Sequence, residues 1–215
     1  MRLLAEIDRH QGVKRDGRAV RRTAVRAIIL RGGEILLVYS QRDGDYGFPG
    51  GGVGAGETHR EALARELKEE CGAELVEVHK PFGRVVEDAF PKESDFDVFC
   101  MTSYYYFCSI GAELGAQGLQ GYELDLGLVP QWTTVQHALA VNEALLAAGN
   151  GPIWTKRDTT VLRLLKESLR KNRRWAQKNL LFAPLGRELG GFSEWIFEVD
   201  PFIIAGELEQ PQNIR

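Results

Sequence analysis

The sequence predicts one layered α/β domain in which helices pack against a mixed β-sheet. Apolar, β-branched segments typical of strands occur at 23–30, 35–40, 75–87 and 97–110. Patterns of helix formers occur at 58–72, 134–149 and 157–177. Strands mixed with helices, one of which directly follows a loop, are typical of α/β and α+β layered domains. A chain of 215 residues with 44% hydrophobic residues is long enough for one such domain and an appended segment.

The first two predicted strands form a hairpin. TAVRAIIL (23–30) and ILLVYS (35–40) flank a turn that contains Gly32 and Gly33, and two apolar runs around a Gly-Gly turn favour antiparallel pairing. Residues 1–22 alternate charged residues with short apolar pairs and lack the apolar core of a secretory signal. We therefore expect residues 1–22 to form an N-terminal arm, which begins as a short helix or arm and continues as a basic connector.

A glycine-rich loop leads into a helix rich in carboxylates. The loop QRDGDYGFPGGG (41–52) is followed by Thr58, with Glu61 three residues later, and this spacing is typical of a capping box at a helix start. Gly72 is a natural C-terminal stop for the helix. The sequence therefore predicts a loop, a helix and a second loop over this region.

Three carboxylates of this helix fall within one narrow arc. Glu66, Glu69 and Glu70 stand at positions i, i+3 and i+4. Like charges at ~4 Å repel by roughly 4 kcal/mol per pair at an effective dielectric constant of about 20, so a nearby cation would stabilise the arc. Carboxylate oxygens favour hard ions such as Mg²⁺ or Mn²⁺. The alternative is a solvated helix face, which charged residues commonly form.

The second half of the chain supplies further strands, helices and an apolar tail. Segments 75–87 and 97–110 are predicted strands joined by a polar loop, and we expect the glycine-rich stretch 111–131 to loop out. In the predicted helix 157–177, the apolar positions share one face: Val161, Leu162, Leu165 and Leu169. FSEWIFEVDPFII (192–204) is too apolar to be free in solvent, so we expect the extension 169–215 to dock on the domain or on a partner subunit.

Composition disfavours several functional classes. A net charge of −3 and a pI of about 5.9 provide no overall basic field for nucleic acid. A late basic helix is explained better by a solvated face than by nucleic-acid contact, because no regular interleaving of aromatic residues and no base-reading motif accompanies its charges. The three cysteines form no metal-finger spacing and fit a reducing interior. Without a bilayer-spanning apolar stretch, we expect a cytoplasmic protein that binds no membrane.

The spacing of the acidic helix matches a known motif. The pattern G-x5-E-x7-R-E-U-x-E-E-x-G, where U is aliphatic, is met by Gly51, Glu57, Arg65, Glu66, Leu67, Glu69, Glu70 and Gly72. This segment resembles the Nudix box of the Nudix hydrolases. Ala73 departs from the larger aliphatic residue that usually ends the box. The resemblance covers residues 23–168 and implies an α/β/α sandwich with a mixed sheet. It also implies Mg²⁺-dependent hydrolysis of a nucleoside diphosphate linked to another moiety.

The resemblance also implies roles for individual residues. The expected metal ligands are Gly50, through its carbonyl, with Glu57, Glu66, Glu69 and Glu70. Arg65 would orient the carboxylates. The general base in this family is often a glutamate outside the box, and Glu123 is our candidate, with Asp125 and Glu113 as rivals. The predicted catalytic set is therefore Glu66, Glu69, Arg65 and Glu123.

The predicted substrate contacts surround the glycine loop. Gly51 and Gly52 allow the backbone to approach a phosphate closely. Tyr46 and Phe48 flank the loop and either stack on a base or sugar or pack the loop itself. The sequence leaves open a nucleoside triphosphate, ADP-ribose or an NDP-sugar as the small-molecule substrate. The alternative function is a nucleotide sensor without catalytic activity, and the family resemblance leaves homodimerisation open.

Overall fold

The computed structural model describes the backbone of residues 1–180 and the side chains of residues 1–171. The strands are β1 (Leu3–Asp8), β2 (Ala19–Ile28), β3 (Leu30–Arg31), β4 (Glu34–Ser40), β5 (Tyr46–Gly47), β6 (Leu75–Ala89), β7 (Val98–Ile110) and β8 (Leu128–Thr133). The helices are α1 (His59–Cys71), α2 (Tyr122–Leu126), α3 (Val135–Ala147) and α4 (Thr155–Leu180). The predicted apolar tail, 192–204, lies outside the described residues.

The strands form two sheets. The first has the order β1-β6-β7-β2, with β6 antiparallel to β7 and with parallel pairs at both edges, β1 with β6 and β2 with β7. In the second sheet, β4 pairs antiparallel with β3, β5 and β8. The predicted mixed α/β architecture is therefore confirmed.

Strand β4 shows why helices cover both faces of the second sheet. Successive side chains of a strand point to opposite faces, and on β4 Ile35 and Leu37 enter one core cluster while Leu36 and Val38 enter another. The first cluster includes apolar residues of α3 and α4, and the second includes apolar residues of α1. The molecule is thus an α/β/α sandwich, as the resemblance implies.

The caps of α1 follow the sequence prediction. The Thr58 side chain accepts a hydrogen bond from the Glu61 N–H, and the Glu61 carboxylate accepts one from the Thr58 N–H at 2.8 Å. Gly72 ends the helix in the left-handed region with φ 63°, and a Cβ atom there would lie 2.1 Å from the Gly115 carbonyl oxygen. The capping box and the glycine together fix both ends of the helix that carries the acidic arc.

Within the predicted N-terminal arm, residues 3–8 form an edge strand and not a short helix. β1 pairs in parallel with β6 from Leu3 opposite Arg84 to Asp8 opposite Asp88. Ile7 is buried in the core and Ala5 packs against the same cluster, so apolar burial holds the strand in place. The predicted domain end at 168 falls inside α4, since Leu169 packs against the same core as Leu165.

The predicted hairpin is confirmed at its turn and in the short antiparallel pairing of β3 with β4, and is wrong for residues 23–28. Gly32 and Gly33 have φ values of 60° and 89° and join β3 to β4. Most of the first predicted strand nevertheless lies in β2, which pairs with β7 in the other sheet. The stretch 111–131, predicted to loop out, contains α2 and part of β8. The pairings of β2 with β7 and of β8 with β4 join segments far apart in the chain, which local patterns do not encode.

A buried ionic cluster anchors the start of α4. Arg157 donates to Glu87 at 3.2 Å and to both oxygens of Asp158, and Arg9 donates to Glu87 at 3.0 Å. Tyr105 donates to Asp158 at 3.3 Å. We call these residues, with the neighbouring Asp45 and Thr155, the α4 cluster. It joins α4 to the strands beneath it.

No helix within residues 1–180 is both long enough and apolar enough to cross a lipid bilayer. The cysteines of the chain, Cys71, Cys100 and Cys108, are all buried and unpaired.

Candidate metal and phosphate site

The glycine loop runs along the free edge of β2. The Val25 N–H donates to the Gly51 carbonyl and the Ala27 N–H donates to the Pro49 carbonyl, both at 2.9 Å. The Val53 N–H donates to the Thr23 carbonyl at 2.9 Å. These bonds hold the loop as an extension of the sheet directly before α1.

Two of the loop glycines are required by close contacts. Gly50 has a φ of 134°, and a Cβ atom there would lie 2.2 Å from the Val25 carbonyl oxygen. A Cβ atom on Gly51 would lie 2.3 Å from the Glu66 Oε1 atom. Side chains at these positions would separate the loop from β2 and displace the carboxylate, so the glycines let the loop and the acidic arc meet.

Helices α1 and α2 bring three carboxylates together. Glu66 and Glu70 of α1 are 6% and 4% exposed, and Glu123 of α2 is half-buried. One oxygen from each of the three lies within 4.8 Å of the others. A set of converging carboxylate oxygens fits a hard divalent cation such as Mg²⁺ or Mn²⁺. Glu66 and Glu70 would hold such an ion from α1.

Burial perturbs both α1 carboxylates of this group. Burial raises the pKa of Glu70 to about 8, although the Arg26 charge and the Gly50 N–H, which donates to Glu70 Oε2 at 2.7 Å, act in the opposite direction. Burial also raises the pKa of Glu66 above its ordinary value, opposed by Arg65. A raised pKa means that the local environment under-compensates the negative charge. A divalent cation in reach of these oxygens would correct that imbalance.

Arg65 orders the neighbouring acidic side chains. Its guanidinium donates to Glu66 at 2.7 Å, to Glu69 at 3.2 Å and to both oxygens of Glu57 at 2.9 and 3.0 Å. It also donates to the Gly52 carbonyl at 2.9 Å. The Arg65 hydrogen bonds and the Gly54 N–H hold the pKa of Glu57 at about 2. One guanidinium thus ties the loop to the helix.

The other predicted site residues separate into two groups. Glu57 and Glu69 accept hydrogen bonds from Arg65 and lie outside the group formed by Glu66, Glu70 and Glu123. Of the three candidates for a general base, Glu123 joins that group, whereas Asp125 lies near Arg42 and Glu113 is exposed. The structure therefore brings Glu123 to the acidic arc from outside the box.

Stacking of a base on Tyr46 or Phe48 is contradicted by their burial. Phe48 is 1% exposed and packs edge-to-face on Tyr105, with ring centroids 5.3 Å apart. Tyr46 is 5% exposed, and its hydroxyl donates to Gln131 at 3.0 Å. Neither ring has a face open to a ligand, so both pack the loop onto the core.

Sequence reasoning missed Arg26. This half-buried residue of β2 donates to the Phe48 carbonyl at 3.4 Å and, from the same nitrogen, to the Gly50 carbonyl. Its charge acts on Glu66 and Glu70. The available signal was an arginine within the apolar strand TAVRAIIL, because a charged residue within an apolar run needs a partner.

Comparison with known proteins adds a family match. A family model described as the NUDIX domain matches residues 20–153. An RNA pyrophosphohydrolase from a Nitratiruptor species is 48% identical over 46 residues, which cover 21% of this chain and 30% of that protein. A Mycobacterium tuberculosis protein provisionally named 8-oxo-dGTP diphosphatase 2 is 45% identical over 58 residues, which cover 25% of this chain and 41% of that protein. The matches therefore span less than half of either relative.

Solved structures also resemble the chain. The solution structure of the E. coli ORF135 protein is 28% identical, covers 60% of this chain and 92% of its own, and superposes with a TM-score of 0.40. A MutT NUDIX hydrolase from Burkholderia pseudomallei is 24% identical, covers 54% of this chain and 85% of its own, and superposes with a TM-score of 0.38.

Proposed function

The chain belongs to the Nudix family, and from this premise we propose that it is a pyrophosphohydrolase that depends on Mg²⁺ or Mn²⁺. Its substrate would be a small nucleotide derivative that contains a diphosphate, and it would act in the cytoplasm. One observation carries the proposal: Glu66, Glu70 and Glu123 converge beside a glycine loop whose backbone lies directly against Glu66.

Different side chains of the protein would bind the cation, orient the carboxylates and accept the proton. Glu66 and Glu70 would hold the cation, while Arg65 keeps Glu66 and Glu69 in orientation. When bound, the cation would neutralise the diphosphate and lower the pKa of a nearby water. Glu123 would accept the proton of that water as its oxygen attacks phosphorus, and the bridging P–O bond would break in line with the attack.

We infer the substrate class from the diphosphate that the site would cleave, and not from recognition of a base. The substrates expected from sequence are nucleoside triphosphates, including oxidised ones, ADP-ribose and NDP-sugars. The names of the two relatives agree with an oxidised nucleoside triphosphate and add RNA that carries a phosphoanhydride. All contain a phosphoanhydride that the same acidic arc would serve. The burial of Tyr46 and Phe48 removes the expected stacking contacts, so base recognition would come from other residues.

A hydrolysis screen tests this proposal. The full-length protein would be assayed with Mg²⁺ or Mn²⁺ against 8-oxo-dGTP, nucleoside triphosphates, 5′-triphosphorylated RNA, ADP-ribose and NDP-sugars. Glu70→Gln removes a buried ligand and should lower turnover at least about 100-fold. Glu34→Gln is the matched control, because it removes the same charge at an exposed position of β4.

The outcomes separate the two candidate functions. Cation-dependent turnover that is lost in Glu70→Gln and kept in Glu34→Gln supports the hydrolase. No turnover on any compound, combined with tight nucleotide binding, would overturn it in favour of a nucleotide sensor. Equal turnover in wild type and Glu70→Gln would place the chemistry outside the acidic arc.

A further inference from the structure

Arg26 shares an acceptor with the proposed cation. Its Nη1 atom donates to the Gly50 carbonyl oxygen, which the family resemblance assigns to the metal shell, and to the Phe48 carbonyl. The Gly50 N–H in turn donates to Glu70. Arg26 is therefore connected to the acidic arc through the same glycine that positions Glu70.

The charges around the arc do not balance. Five carboxylates lie in the arc or next to it: those of Glu57, Glu66, Glu69, Glu70 and Glu123. Within residues 1–171, Arg65 donates hydrogen bonds to Glu57, Glu66 and Glu69, and the charge of Arg26 acts on Glu66 and Glu70. Arg65 is engaged by several acceptors, so Arg26 is the positive group that directly opposes the charge of Glu70.

The guanidinium of Arg26 is fixed by hydrogen bonds from one of its three nitrogens. Its hydrogen bonds to the two carbonyls both come from Nη1, and the buried Nε atom has no hydrogen-bond partner among the described residues. A guanidinium carries five N–H donors. Because few of them are fixed, the group can turn away from the Gly50 carbonyl at a smaller cost than a fully bonded arginine such as Arg157.

We propose that Arg26 is a built-in counter-cation of the acidic arc that competes with the divalent cation for Glu70, Glu66 and the Gly50 carbonyl. The inference rests on the proposed metal site. A guanidinium and a divalent cation that approach the same carbonyl oxygen repel each other, so binding of the ion requires Arg26 to turn aside. Arg26 is in this sense a positioning residue that sets the affinity for the ion.

Cation affinity of charge-removing variants tests the inference. Arg26→Met and Arg26→Gln each remove the charge, and the glutamine keeps a donor for the Gly50 carbonyl. Both should bind Mn²⁺ roughly tenfold more tightly than wild type, because the repulsion between guanidinium and ion is gone. Binding would be measured by Mn²⁺ titration with electron paramagnetic resonance and by the Mn²⁺-induced rise in Tm, neither of which requires turnover.

Arg21→Met is the matched control. It removes the same charge from the same strand, but its side chain contacts Cys100 and lies on the opposite face of β2 from Arg26. Its Mn²⁺ affinity should equal that of wild type. If Arg26→Met does not fold, Arg26→Gln still tests the inference, because its polar amide retains part of the hydrogen bonding that the Met variant lacks.

Unchanged or weaker Mn²⁺ binding in a folded Arg26 variant would overturn the inference. The proposed function fails in a different way, since wild-type protein would then bind no Mn²⁺ or would bind it equally well after Glu70→Gln. If wild-type Mn²⁺ binding is lost in Glu70→Gln but unchanged in the Arg26 variants, the role of Arg26 is refuted and the proposed metal site is not.

Discussion

Two regions of the molecule bury carboxylates, and they compensate the charge differently. In the α4 cluster, Glu87 is bound by Arg9 and Arg157, and Asp158 by Arg157 and Tyr105. In the acidic arc, Glu66 forms an ion pair with Arg65, whereas Glu70 and the converging Glu123 form none within residues 1–171. Paired buried charges indicate a structural role, whereas a buried excess of one sign indicates a site for a ligand of opposite charge.

The raised pKa of Glu70 is a consequence of this difference in charge compensation. Burial raises it to about 8 because the partners present do not offset the cost of ionisation. Removing one carboxylate should therefore have opposite consequences in the two regions. It should damage the fold in the α4 cluster, and it should spare the fold but remove function in the acidic arc.

The largest effect on stability is expected for Glu87→Gln. Glu87 is fully buried between two arginines, so the variant removes the carboxylate that pairs with Arg9 and one of the two that pair with Arg157. Removing one partner of a buried pair typically costs about 3–5 kcal/mol of unfolding free energy. Urea denaturation would measure it. Glu143→Gln is the control, because the exposed pair of Glu143 with Arg163 should contribute less than about 1 kcal/mol.

A loss below about 1 kcal/mol in Glu87→Gln, equal to that of the exposed control, would contradict the structural role of the α4 cluster. The two buried regions would then not differ in the way the pairing of their charges indicates.

Glu70→Gln should show the opposite behaviour. Without added cation, the unfolding free energy at pH 8 should equal or exceed that of wild type, because a poorly compensated buried charge is removed. At a Mn²⁺ concentration about 100 times its Kd, wild type should gain about 2.7 kcal/mol and the variant nothing. Thermal unfolding with and without Mn²⁺ measures both quantities. A variant that is strongly destabilised and still responds to Mn²⁺ would make Glu70 a structural residue.

Arg65→Lys should reduce catalysis while leaving the fold intact. Lysine has no planar fork with which to contact Glu57, Glu66 and the Gly52 carbonyl together. Loss of an orienting partner typically lowers activity about 10–100-fold, and kcat/KM should fall by about that factor with little change in Tm. Arg60→Lys on the same helix is the control, since its guanidinium donates to the exposed Val76 carbonyl, away from the arc. Equal activity of the two variants would show that Arg65 does not orient the arc.

The acidic arc was predictable because its residues are close in sequence. The glycine loop, the capping box and the helix glutamates fall within 41–72, where helical periodicity alone places Glu66 and Glu70 together, whereas Glu123 comes from a distant segment. The α4 cluster was not predictable, since Arg9, Glu87 and Arg157 come from distant segments and resemble ordinary surface charges in sequence. β1 and β8 were missed for the same reason, because each forms through pairing with a strand far along the chain.

Asp45 is the exception within the α4 cluster and is expected to give the smallest effect. It accepts a hydrogen bond from Thr155 at 2.8 Å, yet burial and the nearby charge of Asp158 raise its pKa above the ordinary value. The folded state therefore binds a proton more readily than the unfolded chain. As pH rises from the ordinary aspartate value through the raised one, the unfolding free energy of wild type should fall.

Asp45→Asn removes this pH dependence. The asparagine stays neutral and its carbonyl oxygen can still accept from Thr155, so the variant should match wild type at low pH. At pH 7 it should be about 1 kcal/mol more stable, within the range of a conservative change. Urea denaturation between pH 4 and pH 7 measures the two slopes. Parallel slopes would mean that Asp45 is compensated like Glu87. A steeper fall in wild type would mean that Asp45 is an uncompensated carboxylate within the α4 cluster, bound by the Thr155 hydroxyl and not by a charged partner.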